Sequence, residues 1–469
     1  EMVGKTFTRQ ELFDYVAVTD GERFDFGSVY YNQVHDVHPP LHYWLLNAVC
    51  SLFPDTFSKW TGLALNYVLY MLTMFVLYKT VRKLGWSANN GTAAAVLYGL
   101  SVIGLSTFVM IRMYMLLTLL TVVLMYLIVC LMQEFRPKYC ILTGLVLLAG
   151  LITQYYFVFY AFFLCAAYVI YALVKREYKA LAWFVPCALV GALSLLLVFP
   201  ACMNHLFADN IVSGGNAMEN LRNFAQYPVR LKTFISFITH GLKAAIIIAL
   251  LAVIALGVYF KKFKAAAKDK TLDLRALVLI VPAFVVLVIV ALISPVDEPR
   301  YIYNLVPAFV LAACLLLYLL EQTLGSFERE GLIKTAALLA IMALALWQAR
   351  CAPPDYLYPE YAEYDAMVAE HSDDKCVYFS DNRFEAITQD LLQLMAFDDF
   401  YVSDDTELTG ALNYVGGADE FVAYVDISEF WSSGYDPDKI ISALADASDY
   451  DKAELLYQNG LSATYLISK

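Results

Sequence analysis

The sequence predicts an α-helical polytopic membrane protein, with about ten helices in the chain shown and a small extracytoplasmic α/β domain at the C-terminus. Hydrophobic residues fill 60% of the 469 positions and mean hydropathy is +0.59, beyond the about 45–50% apolar content of a soluble domain. Apolar runs of near-spanning length recur, with basic clusters at alternate ends. The composition then changes: residues 352–469 hold 25 Asp and Glu against five Lys and Arg, a net −20 that outweighs the +8 of the rest to give the chain's −12.

Taken in order, residues 1–56 are polar enough to form a first loop outside the bilayer. Apolar runs near the ~20 residues a bilayer requires follow at 57–81, 91–111, 114–133, 139–156, 158–174, 181–201, 235–260, 276–294, 303–320 and 334–349. Lys79, Arg82 and Lys83 mark one loop, Arg136 and Lys138 a second, and Lys175, Arg176 and Lys179 a third. The run from Lys261 to Arg275 is the strongest. The positive-inside rule puts these loops in the cytoplasm, so residues 1–56, 202–233, 295–302 and the tail face outside. An outside N-terminus needs a helix to deliver it, so a signal-anchor before Glu1 is expected, with about eleven spans natively. The domains read as 1–56, 57–350 and 351–469. In the last, Cys376–Ser380, Phe421–Val425 and Thr464–Ile467 read as buried strands, and Ala386–Leu394 and Pro437–Leu444 as helices.

Several function classes find no support. The tail has no Gly-rich phosphate loop and no zinc-finger spacing, and no basic patch marks a nucleic-acid partner. Most of the nine cysteines lie in apolar runs, as small hydrophobes do. Cys351 and Cys376 are the two expected to be exposed outside, with no spacing signal that pairs them.

Ionisable groups gather instead at the outer face. Asp36-Val37-His38-Pro39-Pro40-Leu41 stands where the first loop meets the membrane region. The prolines fix the backbone there, so the acid and the imidazole sit on a rigid corner. One outer turn presents Arg112-Met113-Tyr114, another Asp297-Glu298-Pro299-Arg300-Tyr301, and the 202–233 loop adds Arg222, Arg230 and Lys232. Such groups at a bilayer rim are costly unless something uses them. Arginine binds phosphate bidentately and a carboxylate can take a proton from a hydroxyl, which suits a lipid headgroup phosphate beside an activated hydroxyl. Blander readings stand beside these: Asp36 as a helix cap, the arginines as snorkelling side chains, Asp297-Glu298 as salt-bridge partners.

The Asp-x-His-Pro-Pro-Leu motif resembles the first-loop motif of the protein O-mannosyltransferases. It is also similar to the acid-Lys-Pro-Pro-Leu element of the lipid A aminoarabinose transferases; both belong to the GT-C superfamily. Further similarity to family-39-like members lies at Phe57-Ser58-Lys59-Trp60, Arg112-Met113-Tyr114-Met115-Leu116, Thr153-Gln154-Tyr155-Tyr156 and Pro299-Arg300-Tyr301. The likeness covers most of residues 1–320 and none of the tail.

The resemblance implies a GT-C-like fold and an inverting glycosyltransferase of the cell envelope. It would move a sugar from a polyprenyl-phosphate donor in the membrane lipid to a glycan, lipid or protein hydroxyl. Relatives carry a catalytic Asp-Glu pair in the first outer loop, which maps Glu1 onto the glutamate and leaves Asp36 as the other candidate carboxylate. The donor phosphate would meet His38, Arg112, Tyr114, Arg300 and Tyr301. Oxygen ligands from Asp36 and Glu1 suit a Mg or Mn ion, whereas Gln154, where relatives often have histidine, weakens a metal at that turn. The alternatives are a transporter or flippase of lipid-linked sugars and a non-catalytic scaffold.

Overall fold

The computed structural model describes residues 2–207, 220–222, 224–259, 273–324, 330–359, 361–380, 387–388, 390–404, 408–427 and 434–469. They form two units. One joins Arg23–Leu52 to Ser58–Leu357; the other joins Glu1–Glu22 and Phe53–Phe57 to Tyr358–Lys469. The segment 1–56 expected as one loop is therefore divided between them. The chain opens in the second unit with β1 (Lys5–Thr8) and α1 (Arg9–Val16), where Thr8 and Glu11 cap each other's backbone amides.

The first unit is helical: α2 (Phe26–His35), α3 (Leu41–Cys50), α4 (Lys59–Lys83), α5 (Ala88–Gly99), α6 (Val102–Val109), α7 (Tyr114–Gln133), α8 (Pro137–Leu151), α9 (Phe157–Val174) and α10 (Tyr178–Leu193). After it come α11 (Tyr227–Gly241), α12 (Lys243–Val258), α13 (Leu274–Ile293), α14 (Val306–Leu324) and α15 (Glu330–Cys351). Among the described residues seven helices are long and apolar enough to cross a membrane, counting Tyr178–Val198 and Pro299–Thr323 as one each. The pairs α5–α6 and α11–α12 pass the same test together but bend by 59° and 85°. The protein is a polytopic membrane protein.

Two expected spans are thus broken, each for a local reason. The run 91–111 breaks at Ser101, whose hydroxyl caps α6 by accepting from the Gly104 amide at 2.9 Å. A Cβ at Gly104 would lie 2.2 Å from the Tyr98 carbonyl, so the bend requires glycine there. The run 235–260 breaks at Leu242. Gln348 on α15 fills that gap: its amide donates to the Gly241 carbonyl at 2.7 Å and its oxygen accepts from the Ala244 amide at 2.6 Å. A buried side chain thereby satisfies backbone groups that the break would leave bare. Elsewhere α8 and α10 touch through backbone, since a Cβ at Gly191 would lie 2.2 Å from the Gly144 carbonyl oxygen.

The second unit is a mixed sheet with helices. Its later elements are α16 (Tyr361–Glu370), β2 (Lys375–Phe379), β3 (Asp399–Ser403), α17 (Leu408–Val415), β4 (Glu420–Asp426), α18 (Pro437–Ala447), β5 (Lys452–Gln458) and β6 (Ser462–Ser468). The strand order is β1-β3-β2-β4-β6-β5, with β3, β2 and β4 parallel and the other pairings antiparallel. Of the expected helix 386–394, Leu391–Leu394 forms a helix, and Ala386 and Gln389 lie outside the described residues. Cys376, expected to be exposed, is fully buried in β2, and both it and Cys351 are free thiols.

Candidate functional site

The site begins with the corner that ends α2. Asp36 closes that helix, its amide bonded to the Asn32 carbonyl, and Pro39-Pro40 prevents the helix from continuing. The Asp36 carboxylate then turns onto its own loop. One oxygen accepts from the Val37 amide at 2.6 Å, the other from His38 Nδ1 at 3.0 Å. His38 Nε2 in turn lies 3.3 Å from Arg112 Nη2. A guanidinium offers only donors, so Nε2 presents its lone pair and the proton of a neutral ring sits on Nδ1, facing Asp36. Burial pushes the Asp36 carboxyl up, but the His38 bond, the Val37 amide and Arg112 outweigh it and hold the group below the usual carboxylate range. Asp36, His38 and Arg112 form one hydrogen-bonded string.

Two supports fix that string. Asn66 on α4, wholly buried, donates to the Phe108 and Met110 carbonyls at 2.9 and 2.8 Å, which sets the turn from α6 to Arg112. His205 Nε2 donates to the Val34 carbonyl at 3.0 Å while its Nδ1 accepts from the Tyr155 hydroxyl at 2.9 Å, which pins the end of α2. His42, one turn into α3, is fully buried with neither ring nitrogen partnered, and burial lowers its pKa to about 4. That imidazole is neutral.

The second arginine stands on the 3-10 turn Pro299–Leu305. Arg300 Nε lies 3.2 Å from Glu298 Oε2, and the guanidinium carbon is 5.6 Å from the centre of the Tyr301 ring. Tyr301 packs against Tyr156 at 5.0 Å between centroids, and Tyr114 meets Tyr303 edge-on at 6.1 Å. Both Arg112 and Arg300 act electrostatically on the Tyr114 hydroxyl, and Arg112 also acts on Tyr301. The two cations therefore share one tyrosine-lined neighbourhood.

The structure thus brings together Asp36, His38, Arg112, Tyr114, Arg300 and Tyr301. Glu1 lies outside the described residues. Arg230 is spent on structure: it pairs with Asp297 at 2.8 Å and donates to the Ser294 carbonyl and hydroxyl at the end of α13. Asp297 is thereby a salt-bridge partner. Among the described residues no three His, Cys, Asp or Glu side chains come together as a metal-ligand group. Sequence reasoning passed over Asn66 and the pair Asp355-Tyr356, although Pro353-Pro354 ahead of that pair repeats the rigid-corner signal seen at Pro39-Pro40.

Residues 37–203 match the family model of the dolichyl-phosphate-mannose-protein mannosyltransferases. Over that segment, about a third of its length, the chain is similar to this mannosyltransferase family. The matched segment includes His38, Arg112 and Tyr114, half of the six residues grouped above. Among solved structures, ArnT from Cupriavidus metallidurans bound to undecaprenyl phosphate is similar, at 12% identity and a TM-score of 0.48, over 97% of this chain and 95% of that one. The same figures hold for its apo state. Arabinofuranosyltransferase AftD from Mycobacteria matches at 13% identity and a TM-score of 0.46, over all of this chain and 40% of its own. No curated protein sequence matches the chain.

Proposed function

We propose that the protein is an inverting glycosyltransferase, moving a sugar from a polyprenyl-phosphate donor to an acceptor hydroxyl at the extracytoplasmic face of the membrane. The observation that carries this reading is the string Asp36–His38–Arg112 beside Arg300, at the ends of membrane helices. Two guanidinium groups suit a lipid monophosphate and the charge it gains as a leaving group. Tyr114 and Tyr301 line the same place, and His38 holds Arg112 in register for it.

The reaction follows from these parts. The acceptor oxygen attacks the anomeric carbon from the side opposite the phosphate. The bond from that carbon to the phosphate oxygen breaks, and polyprenyl phosphate departs against Arg112 and Arg300. The acceptor proton passes to Asp36, whose side chain is 42% exposed and whose oxygens keep lone pairs beyond their two hydrogen bonds. Glu1 is the other carboxylate proposed for that role. A divalent ion at Asp36 and Glu1 is likewise a proposal, and it would share its charge with the same phosphate.

A transporter of lipid-linked sugars is the second reading, favoured by the two broken helix pairs. One experiment separates them. The full-length protein, purified with a polyprenyl-phosphate sugar and an acceptor extract, is expected to release free polyprenyl phosphate, and Asp36→Asn or Arg300→Ala to abolish the release. Donor that crosses vesicles intact, with none consumed, would replace the transferase by the transporter.

A further inference from the structure

The chain leaving α15 does not depart directly. Residues 352–357 return to the helical unit and bind both arginine-bearing turns. The Asp355 amide donates to Ser106 Oγ on α6 at 2.8 Å, and its carboxylate accepts from the Tyr303 hydroxyl at 3.4 Å. Ser106 lies on the short helix that delivers Arg112, and Tyr303 on the 3-10 turn that carries Arg300. Asp355 therefore bridges the two turns.

Tyr356 grips the second turn directly. Its hydroxyl donates to Glu298 Oε2 at 3.0 Å, the same oxygen that lies 3.2 Å from Arg300 Nε. That Nε makes no hydrogen bond in proper line despite the short approach, and it is buried. The tyrosine hydroxyl thus holds the carboxylate beside the guanidinium yet off its hydrogen-bonding axis. Tyr356 also has a φ of +64°, left-handed backbone that a bulky residue adopts only when its surroundings enforce it.

We propose that Asp355 and Tyr356 are positioning residues for lipid-phosphate recognition, a strap that sets the spacing of Arg112 and Arg300 and keeps Glu298 from claiming Arg300. This rests on the reading of the arginine pair as the phosphate site. Without the tyrosine hydroxyl, Glu298 swings into line with Arg300 and competes with the phosphate. Without the Asp355 carboxylate, the two turns lose their common anchor.

The test is equilibrium binding of a polyprenyl monophosphate to the full chain in detergent. Tyr356→Phe is expected to weaken binding about fivefold, the effect of one hydrogen bond, and Asp355→Asn to weaken it similarly. Tyr356 acts through Glu298, so in a Glu298→Gln background Tyr356→Phe is expected to change affinity by less than about twofold. An equal loss in both backgrounds overturns the strap, because a merely structural tyrosine would act independently of Glu298. Wild-type affinity in both Tyr356→Phe and Asp355→Asn, with Arg300→Ala weakened, overturns the strap and leaves the phosphate site standing. Wild-type affinity in Arg300→Ala overturns both.

Discussion

Asp36 is the carboxylate proposed to take the acceptor's proton, and that decides what its replacements should do. Asn in its place keeps the size and loses the charge. We expect Asp36→Asn to cost about 10²-fold or more in turnover, as loss of a general base does, with little change in thermal stability. Arg112→Lys swaps a fork for a point charge that cannot serve His38 and a phosphate together, so donor KM should rise at least about tenfold. The pH profile carries a sign. A carboxyl held below its ordinary value contributes its interaction above that value and loses it as pH falls through the lowered one. Turnover measured against pH should therefore hold through neutrality and weaken only on the acid side of the usual carboxylate range. Asp36, His38 and Arg112 were legible in the sequence because the two prolines announce a fixed corner. Asn66 was not, since a lone amide in an apolar run gives no sign that its partners are carbonyls 42 and 44 residues away.

At the scale of elements, apolar length marked the spans well and said nothing about their breaks. The run 235–260 reads as one helix because the single glycine before Leu242, Gly241, is too weak a breaker to interrupt so apolar a stretch. The partner that stabilises the bend, Gln348, is more than 100 residues downstream. Gln348→Leu should strand two buried backbone groups at about 1–3 kcal/mol each, read as a lower melting temperature of the detergent-solubilised chain. The α8–α10 contact makes a sharper test. A leucine at Gly191 must push the two backbones apart, and overpacking of this kind costs about 1–3 kcal/mol; Gly257, with nothing within 4 Å of its would-be Cβ, should accept alanine without loss. In the second unit the hydrophobic strands β2, β4 and β6 stood out, whereas β1 and β5 did not. Their patterns are largely exposed, and their place is given by neighbours in the sheet.

At the scale of the whole molecule, the second unit keeps one acid in its core. Asp390 is fully buried and accepts from Tyr364, Tyr378 and Ser462, and burial raises its pKa to about 6. The folded state then holds a proton that the unfolded chain has already released, so stability falls as pH rises from 3.8 to about 6 and is level beyond. Asp390→Asn should flatten that slope in thermal melts across the same window. The sheet whose β2 and β6 hydroxyls bond this acid also constrains the rest of the chain. Because β1 pairs with β3, residues 5–8 and 399–403 lie on one side of the bilayer. A chain that sets out from one side and comes back to it passes through an even number of times. Seven straight helices and two bent pairs make nine, which is odd. Among the described helices, then, either α8 also crosses, its 15 residues reaching about 22 Å, or one bent pair turns back. With the seven straight helices crossing, the crossings among the described residues number ten or eight, and four residues of edge strand fix the parity.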